Sequence, residues 1–118
     1  MNSMLKPARP PADPHAALKF RIKVEVQKRL DAFALTHDFA SILSAVSYAD
    51  SSVSAYAADG KAARDQRDAT WLVLDAYMAE VVAGTKPVPK DYAEVAPSLP
   101  VLAWPVTAPA TPTPTPKP

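Results

Sequence analysis

The chain has no cysteine and only two glycines. Without cysteine, neither a disulfide nor a thiolate-bound metal can hold a small fold together, and the redox compartment stays open. With so few glycines there is no phosphate-cradling loop, which needs several positions where backbone can approach a ligand closely. The two histidines, His15 and His37, lie in different segments, with no imidazole four residues from either. That spacing does not make a zinc site. His37-Asp38 reads more simply as a loop histidine beside a helix end than as a polarised pair. Serines 41, 44, 47, 51, 52 and 54 stand in no nucleophile-elbow context. The sequence therefore predicts no catalytic, cofactor-binding or metal-binding residue, and an enzyme is not expected.

Excess charge is lacking too. Thirteen basic side chains oppose twelve acidic ones, a formal net charge of +1. A nucleic-acid binder usually shows a strongly basic domain, so nucleic acid is not the expected partner. One local exception is the run Lys19, Arg21, Lys23, Lys28 and Arg29, which outnumbers Glu25 and Asp31. It reads as a solvated face, with nucleic-acid contact as the lesser alternative. No apolar run has the length needed to cross a bilayer, so no membrane partner is expected. Met1 to Pro7 carries no hydrophobic signal core, which predicts a protein made and kept on the cytoplasmic side unless an assembly carries it elsewhere.

What the chain does have is proline, fourteen in 118 residues, gathered at the two flanks. Four regions follow: an extended arm over 1–17, a helical domain over 18–86, a proline-rich apolar docking segment over 87–106, and a Thr-Pro tail over 107–118. The fold class is all-α, a small helical hairpin or three-helix domain between extended arms. A core of this size buries only roughly 60% of the surface its unfolded chain exposes, so a partner would help it.

Asp13-Pro14 suits a helix start, because Asp can cap and Pro fits the first helical turn. From Leu18 to Val26 two periods compete. Leu18, Phe20, Ile22, Val24 and Val26 alternate with polar residues as in a strand, whereas Ile22, Val26, Leu30 and Phe33 keep helical spacing. A helix over 22–36 is predicted. The strand alternative would need another subunit to pair with. Asp38 then caps a short helix, Phe39 to Tyr48, with Phe39, Ile42, Leu43 and Val46 on one face. Ser51 or Ser52 caps the next.

The third helix is predicted over 53–83. Its stripe is Val53, Tyr56, Ala57, Gly60, Ala63, Arg67, Trp71, Leu74, Met78, Val81 and Val82. Gly60 within that stripe points to a close helix crossing, since glycine otherwise costs a helix about 1 kcal/mol against alanine. Lys61 with Asp65, and Arg64 with Asp68, are spaced for i,i+4 pairs. Basic neighbours thus explain Asp65 and Asp68 better than acid–base chemistry with Asp75 does. Gly84 supplies a left-handed C-cap and Pro87 prevents continuation. Asp91 to Ala96 makes one helical turn, and Leu99 to Val106 is extended and apolar. Thr107 to Pro118 reads as solvated polyproline II.

Arg67 on an apolar stripe needs a partner, because a buried unpaired arginine is costly. Arg67, Asp68 and Trp71 are therefore read as a structural clamp. Trp71 lies in the core, and Arg67 reaches Asp38, Asp50 or a backbone carbonyl. Phe20, Ile22, Leu99, Val101, Leu102 and Trp104 are the candidate partner-binding residues. Trp104, flanked by proline, suits an interface anchor, and docking onto the chain's own core is the equal alternative.

Five stretches in order, Phe39–Ala49, Tyr56–Gly60, Arg67–Trp71, Ala79–Pro87 and Leu102–Pro105, resemble a family of small bacteriophage proteins encoded near tail-fibre genes, the tail-fibre assembly or tail accessory proteins. The resemblance covers roughly residues 26–105. The family carries an acidic residue where Ala40 stands, a cysteine where Val46 stands and a glutamate where Asp59 stands. Ala40 in particular weakens any shared polar contact. The resemblance implies a non-enzymatic protein bound to phage tail or tail-fibre proteins, assembled in the host cytoplasm and carried in the virion tail. It needs no cofactor, and a homo-oligomer is compatible with it. Its alternatives are a chaperone that leaves after fibre trimerisation, and a host-directed or nucleic-acid-associated regulator using the basic 19–29 run.

Overall fold

A computed structural model describes residues 15–105. Its elements in order are α1 (Ala16–Leu35), α2 (Ile42–Val46), α3 (Ser54–Ala83) and α4 (Tyr92–Val95), with a 3-10 turn at Ala96–Ser98. Among the described residues there is no strand, and the architecture is all-α. No described helix is long and apolar enough to cross a membrane.

Residues 18–26 belong to α1, which settles the competing periods in favour of the helix. Ile22, Val26, Leu30, Phe33 and Ala34 are buried, while Phe20 and Val24 face outward. The helical set wins because the surface it meets is another helix, and no strand stands beside it to satisfy an extended backbone. The helix also starts earlier than the predicted residue 22. Lys19 N–H already donates to His15 O at 2.8 Å. The Asp13-Pro14 start and most of the expected N-terminal arm lie outside the described residues, and Ala16 and Ala17 are helical.

Asp38 does not cap α2. It ends α1 instead, with φ of 68° in the left-handed region. Asp38 N–H donates to Leu35 O at 2.9 Å and Phe39 N–H to Ala34 O at 3.1 Å. These are the paired bonds of a Schellman close, for which Asp tolerates the positive φ better than most residues. The α2 cap is Ser41, whose Oγ accepts from Ser44 N–H at 3.1 Å. A second cap arrives from α1, where Asp31 Oδ1 accepts from Ile42 N–H at 2.9 Å. Phe39 is buried but precedes the helix, and Leu43 is exposed, so the inner side of α2 is Ile42 and Ala45.

Helix α3 has 30 residues, a rod of about 45 Å at 1.5 Å per residue. Neither Ser51 nor Ser52 caps it as predicted: the N-cap is Val53, with no capping side chain, and Ser51 Oγ accepts from Val53 N–H at 3.0 Å just before the helix begins. Its inner face is Asp59, Gly60, Ala63, Thr70, Leu74, Met78 and Val81. Gly60 marks a close crossing. A Cβ there would stand 2.6 Å from Tyr48 C and 2.7 Å from Ala49 Cα. Those are backbone atoms that cannot rotate away. Thr70 is satisfied in the core by its own helix, its hydroxyl donating to Gln66 O at 2.7 Å. Gly84 closes α3 at φ 83°, with Thr85 N–H on Glu80 O at 2.9 Å.

Helices α1 and α3 run antiparallel. His37 after the end of α1 meets Asp59 near the start of α3, and Lys19 and Lys23 share a depression with Asp75, Met78 and Val82. After Gly84 the chain turns back over Pro87 and Pro89, and α4 with the following strap returns along α1. Val95 and Leu99 join the same core as Ile22, Leu30, Phe39 and Leu74. The proline-rich segment is thus a third layer of the domain, packed in cis.

Candidate functional site

The strap Leu99–Pro105 is held at three levels along α1. At the first, Arg29 Nη2 donates to Pro100 O at 2.9 Å and Nη1 to Tyr92 Oη at 3.3 Å. Arg29 Nε is buried with no hydrogen-bond partner. At the second, Gln66 of α3 accepts from Ala103 N–H at 2.7 Å through Oε1, while its Nε2 donates to Ala62 O at 3.1 Å. Both ends of that amide are used, so its orientation is set.

Trp104 forms the third. Its ring lies nearly parallel to Phe33 (centroids 4.2 Å, 12°) and to His37 (4.1 Å, 6°). Its Nε1 donates to Thr36 Oγ1 at 2.8 Å, and that hydroxyl donates to Phe33 O at 2.6 Å. His37 Nδ1 is 2.9 Å from Oδ2 of Asp59, a buried carboxylate that needs such a partner. The Schellman close at Asp38 sets this up, because it turns the chain so that His37 can face both Trp104 and α3.

Farther toward the start of α1 the surface is open. Phe20, Arg21, Val24 and Glu25 of α1, with Asp91, Tyr92 and Ala93, line a groove of about 490 Å³. Phe20 is 68% exposed at its edge. Its lining is mostly apolar and aromatic, with charges of both signs from Arg21, Glu25 and Asp91.

The six candidate partner residues therefore separate. Ile22 is 1% and Leu99 5% exposed, both spent on the chain's own core. Leu102 and Trp104 are half-buried against that core, so the strap is not offered to a foreign surface in this state. Phe20 and Val101, the latter 86% exposed, remain open. Ile22 and Phe20 share a face only in a strand, and α1 turns them apart.

The Arg67 clamp is also corrected. Arg67 Nε and Nη2 donate to Asp68 Oδ1 at 3.0 and 2.9 Å, with side chains 29% and 55% exposed. The residue sits on the inner stripe, but its long stem carries the guanidinium out to the surface, where the adjacent carboxylate meets it. Asp65 likewise takes Arg64 at 3.1 Å rather than Lys61. Trp71 packs half-buried at the edge of the core. The clamp between elements is Arg29, together with Gln66, Thr36 and the His37–Asp59 pair, to none of which the sequence assigned that role. Arg29 had a signal, since it shares a helical face with Val26 and Phe33. Among the described residues no group of three or more His, Cys, Asp or Glu is placed to hold a metal ion.

The fold and site define a class: a small all-α domain whose extended apolar segment is clasped onto its own helices beside an open groove. No protein-family model, curated protein or solved structure matches the chain.

Proposed function

We propose that this chain is a non-enzymatic structural protein of a bacteriophage tail, binding tail or tail-fibre subunits in the virion as an attachment or adaptor piece. The ordered set of short motifs supports the phage assignment. Four of the five fall on α2 and its flanks, the Gly60 crossing, the end of α3 and the Trp104 anchor, and Arg67–Trp71 lies in the middle of α3. The observation that carries the binding role is the open groove with Phe20, Val24 and Tyr92. Its α1 wall, residues 20–25, lies ahead of the stretch the resemblance covers. A shared scaffold with its own partner wall suits an adaptor fitted to one virion. A largely apolar lining with charges of both signs matches a protein partner better than a polyanion.

The test is quantitative mass spectrometry of washed particles. The adaptor role expects this chain at a fixed copy number per virion, and Phe20→Asp to lower that number with the fold intact by circular dichroism. Presence in infected-cell lysate with absence from particles would make it a chaperone. Salt-sensitive DNA binding by the purified chain would instead support a regulator working through the basic run.

A further inference from the structure

The strap is bound the way a peptide ligand is bound. Leu99 to Pro105 has no regular secondary structure, and side chains of two other elements hold its backbone. Pro100 offers a carbonyl to Arg29, and Ala103 offers an N–H to Gln66. Leu99, Leu102 and Trp104 supply apolar and aromatic anchors. The bonded partners lie 71 residues apart for Arg29 and Pro100, and 68 for Thr36 and Trp104. No contact in this set requires that strap and receptor surface belong to one molecule.

The connection leading to the strap favours exchange. Pro87 and Pro89 each lock φ, and each biases the residue before it, Lys86 and Val88, toward extended backbone. A hinge that prefers to be extended can span to a second copy, where Pro89, Val95 and Leu99, buried in the closed chain, are buried again. Domain swapping needs such a hinge and an element whose contacts can be remade identically in a partner.

We propose that the surface formed by Arg29, Phe33, Thr36 and His37 with Gln66 of α3 is a receptor for an extended proline-bracketed tryptophan segment, and that a second copy of this chain supplies it by reciprocal exchange of residues 92–105. Each copy then carries the other's Trp104 against Phe33 and His37, and each Arg29 holds the other's Pro100. In the closed monomer the strap competes for its own receptor surface at an effective concentration on the order of millimolar, so exchange needs crowding or a loosened strap. This inference does not rest on the virion reading, but the two share Tyr92 and Ala93, which exchange would supply to the open groove from the second copy.

The test removes the cis anchor and keeps the receptor. Full-length Trp104→Ala is titrated with a fluorescent peptide of residues 98–106 and followed by anisotropy. Saturable binding at least about tenfold tighter than to the unaltered chain is expected, since the unaltered chain carries its own competitor. Adding Gln66→Ala to the variant is expected to weaken the binding. Mixed with Trp104→Ala, the unaltered chain should give a heterodimer by sedimentation. A variant that keeps its helix content yet takes up neither peptide nor partner chain overturns the proposal. Where Trp104→Ala loses helix content, Ala103→Pro serves: it removes the N–H that Gln66 accepts and fixes φ at 103, which loosens the strap while leaving every receptor side chain unchanged. Where that variant unfolds as well, the unaltered chain is refolded over a wide concentration range. A dimer growing with concentration supports exchange, and a monomer throughout refutes it.

Discussion

The two halves of α1 carry similar side chains and meet different fates. Both are rich in lysine and arginine between apolar residues. Toward its end, Arg29, Phe33 and Thr36 lie under a strap that fills their surface with Tyr92, Pro100 and Trp104. Toward its start, Arg21, Val24 and Glu25 line an open groove edged by Phe20. The difference shows that the domain completes its own third layer over only part of one helix. The covered end adds the strap's contacts to the core, whereas the start of the helix buries Ile22 and Val26 on its inner side and leaves its outer side open.

The sharpest way to break that comparison is to damage the finished half. Leu30 is fully buried beneath it. Leu30→Ala is expected to lower unfolding free energy by about 2–5 kcal/mol, the range for truncating a buried leucine. Against a total of about 5–15 kcal/mol for a typical domain, that is a large loss. A urea midpoint near that of the unaltered chain would show that the covered half contributes little to stability.

Trp104→Ala comes next. A fully buried tryptophan costs about 3–5 kcal/mol on truncation, and this one is only partly buried, so about 2 kcal/mol is expected. The loss should appear in denaturant titration with α1 and α3 still helical, since their shared core does not include the indole. Collapse of all helix signal would mean the strap is required for the hairpin and not laid upon it.

Arg29→Met is smaller still because two effects oppose. Removing the guanidinium leaves Pro100 O and Tyr92 Oη without their donor, an effect of about 1–3 kcal/mol. It also removes Nε, a buried donor that has no acceptor, and keeps the stem that packs. A net loss of about 1 kcal/mol is expected in thermal unfolding. A net gain would show that the unsatisfied Nε outweighs both bonds.

These contrasts also mark what could be read from residues alone. The C-terminal end of α3 was legible because Gly84 and Pro87 act locally, and Gly60 because a glycine on an inner stripe has few other meanings. The strap's burial was legible from its apolar content, but not whose groove it fills, since composition says that a segment is buried and not by what. Arg29 was hidden in a run whose charge suggests solvent, and Arg67 was misplaced because a long stem can leave the stripe its Cα occupies. His37 and Asp59 are 22 residues apart, and only the left-handed turn at Asp38 brings them together.

Phe20→Ala lies at the other end of the scale and tests the open half. The ring is largely solvated, so its loss should leave stability within about 0.5 kcal/mol, as for surface substitutions away from packed features. Ile22, two residues on and fully packed, is the internal control, for which truncation should cost at least about 2 kcal/mol. If Phe20→Ala destabilises the isolated chain as Ile22→Ala does, the groove is already filled in solution and the halves are alike. If only Ile22 matters to stability while Phe20 governs incorporation into particles, the helix serves its own fold on one side and a partner on the other.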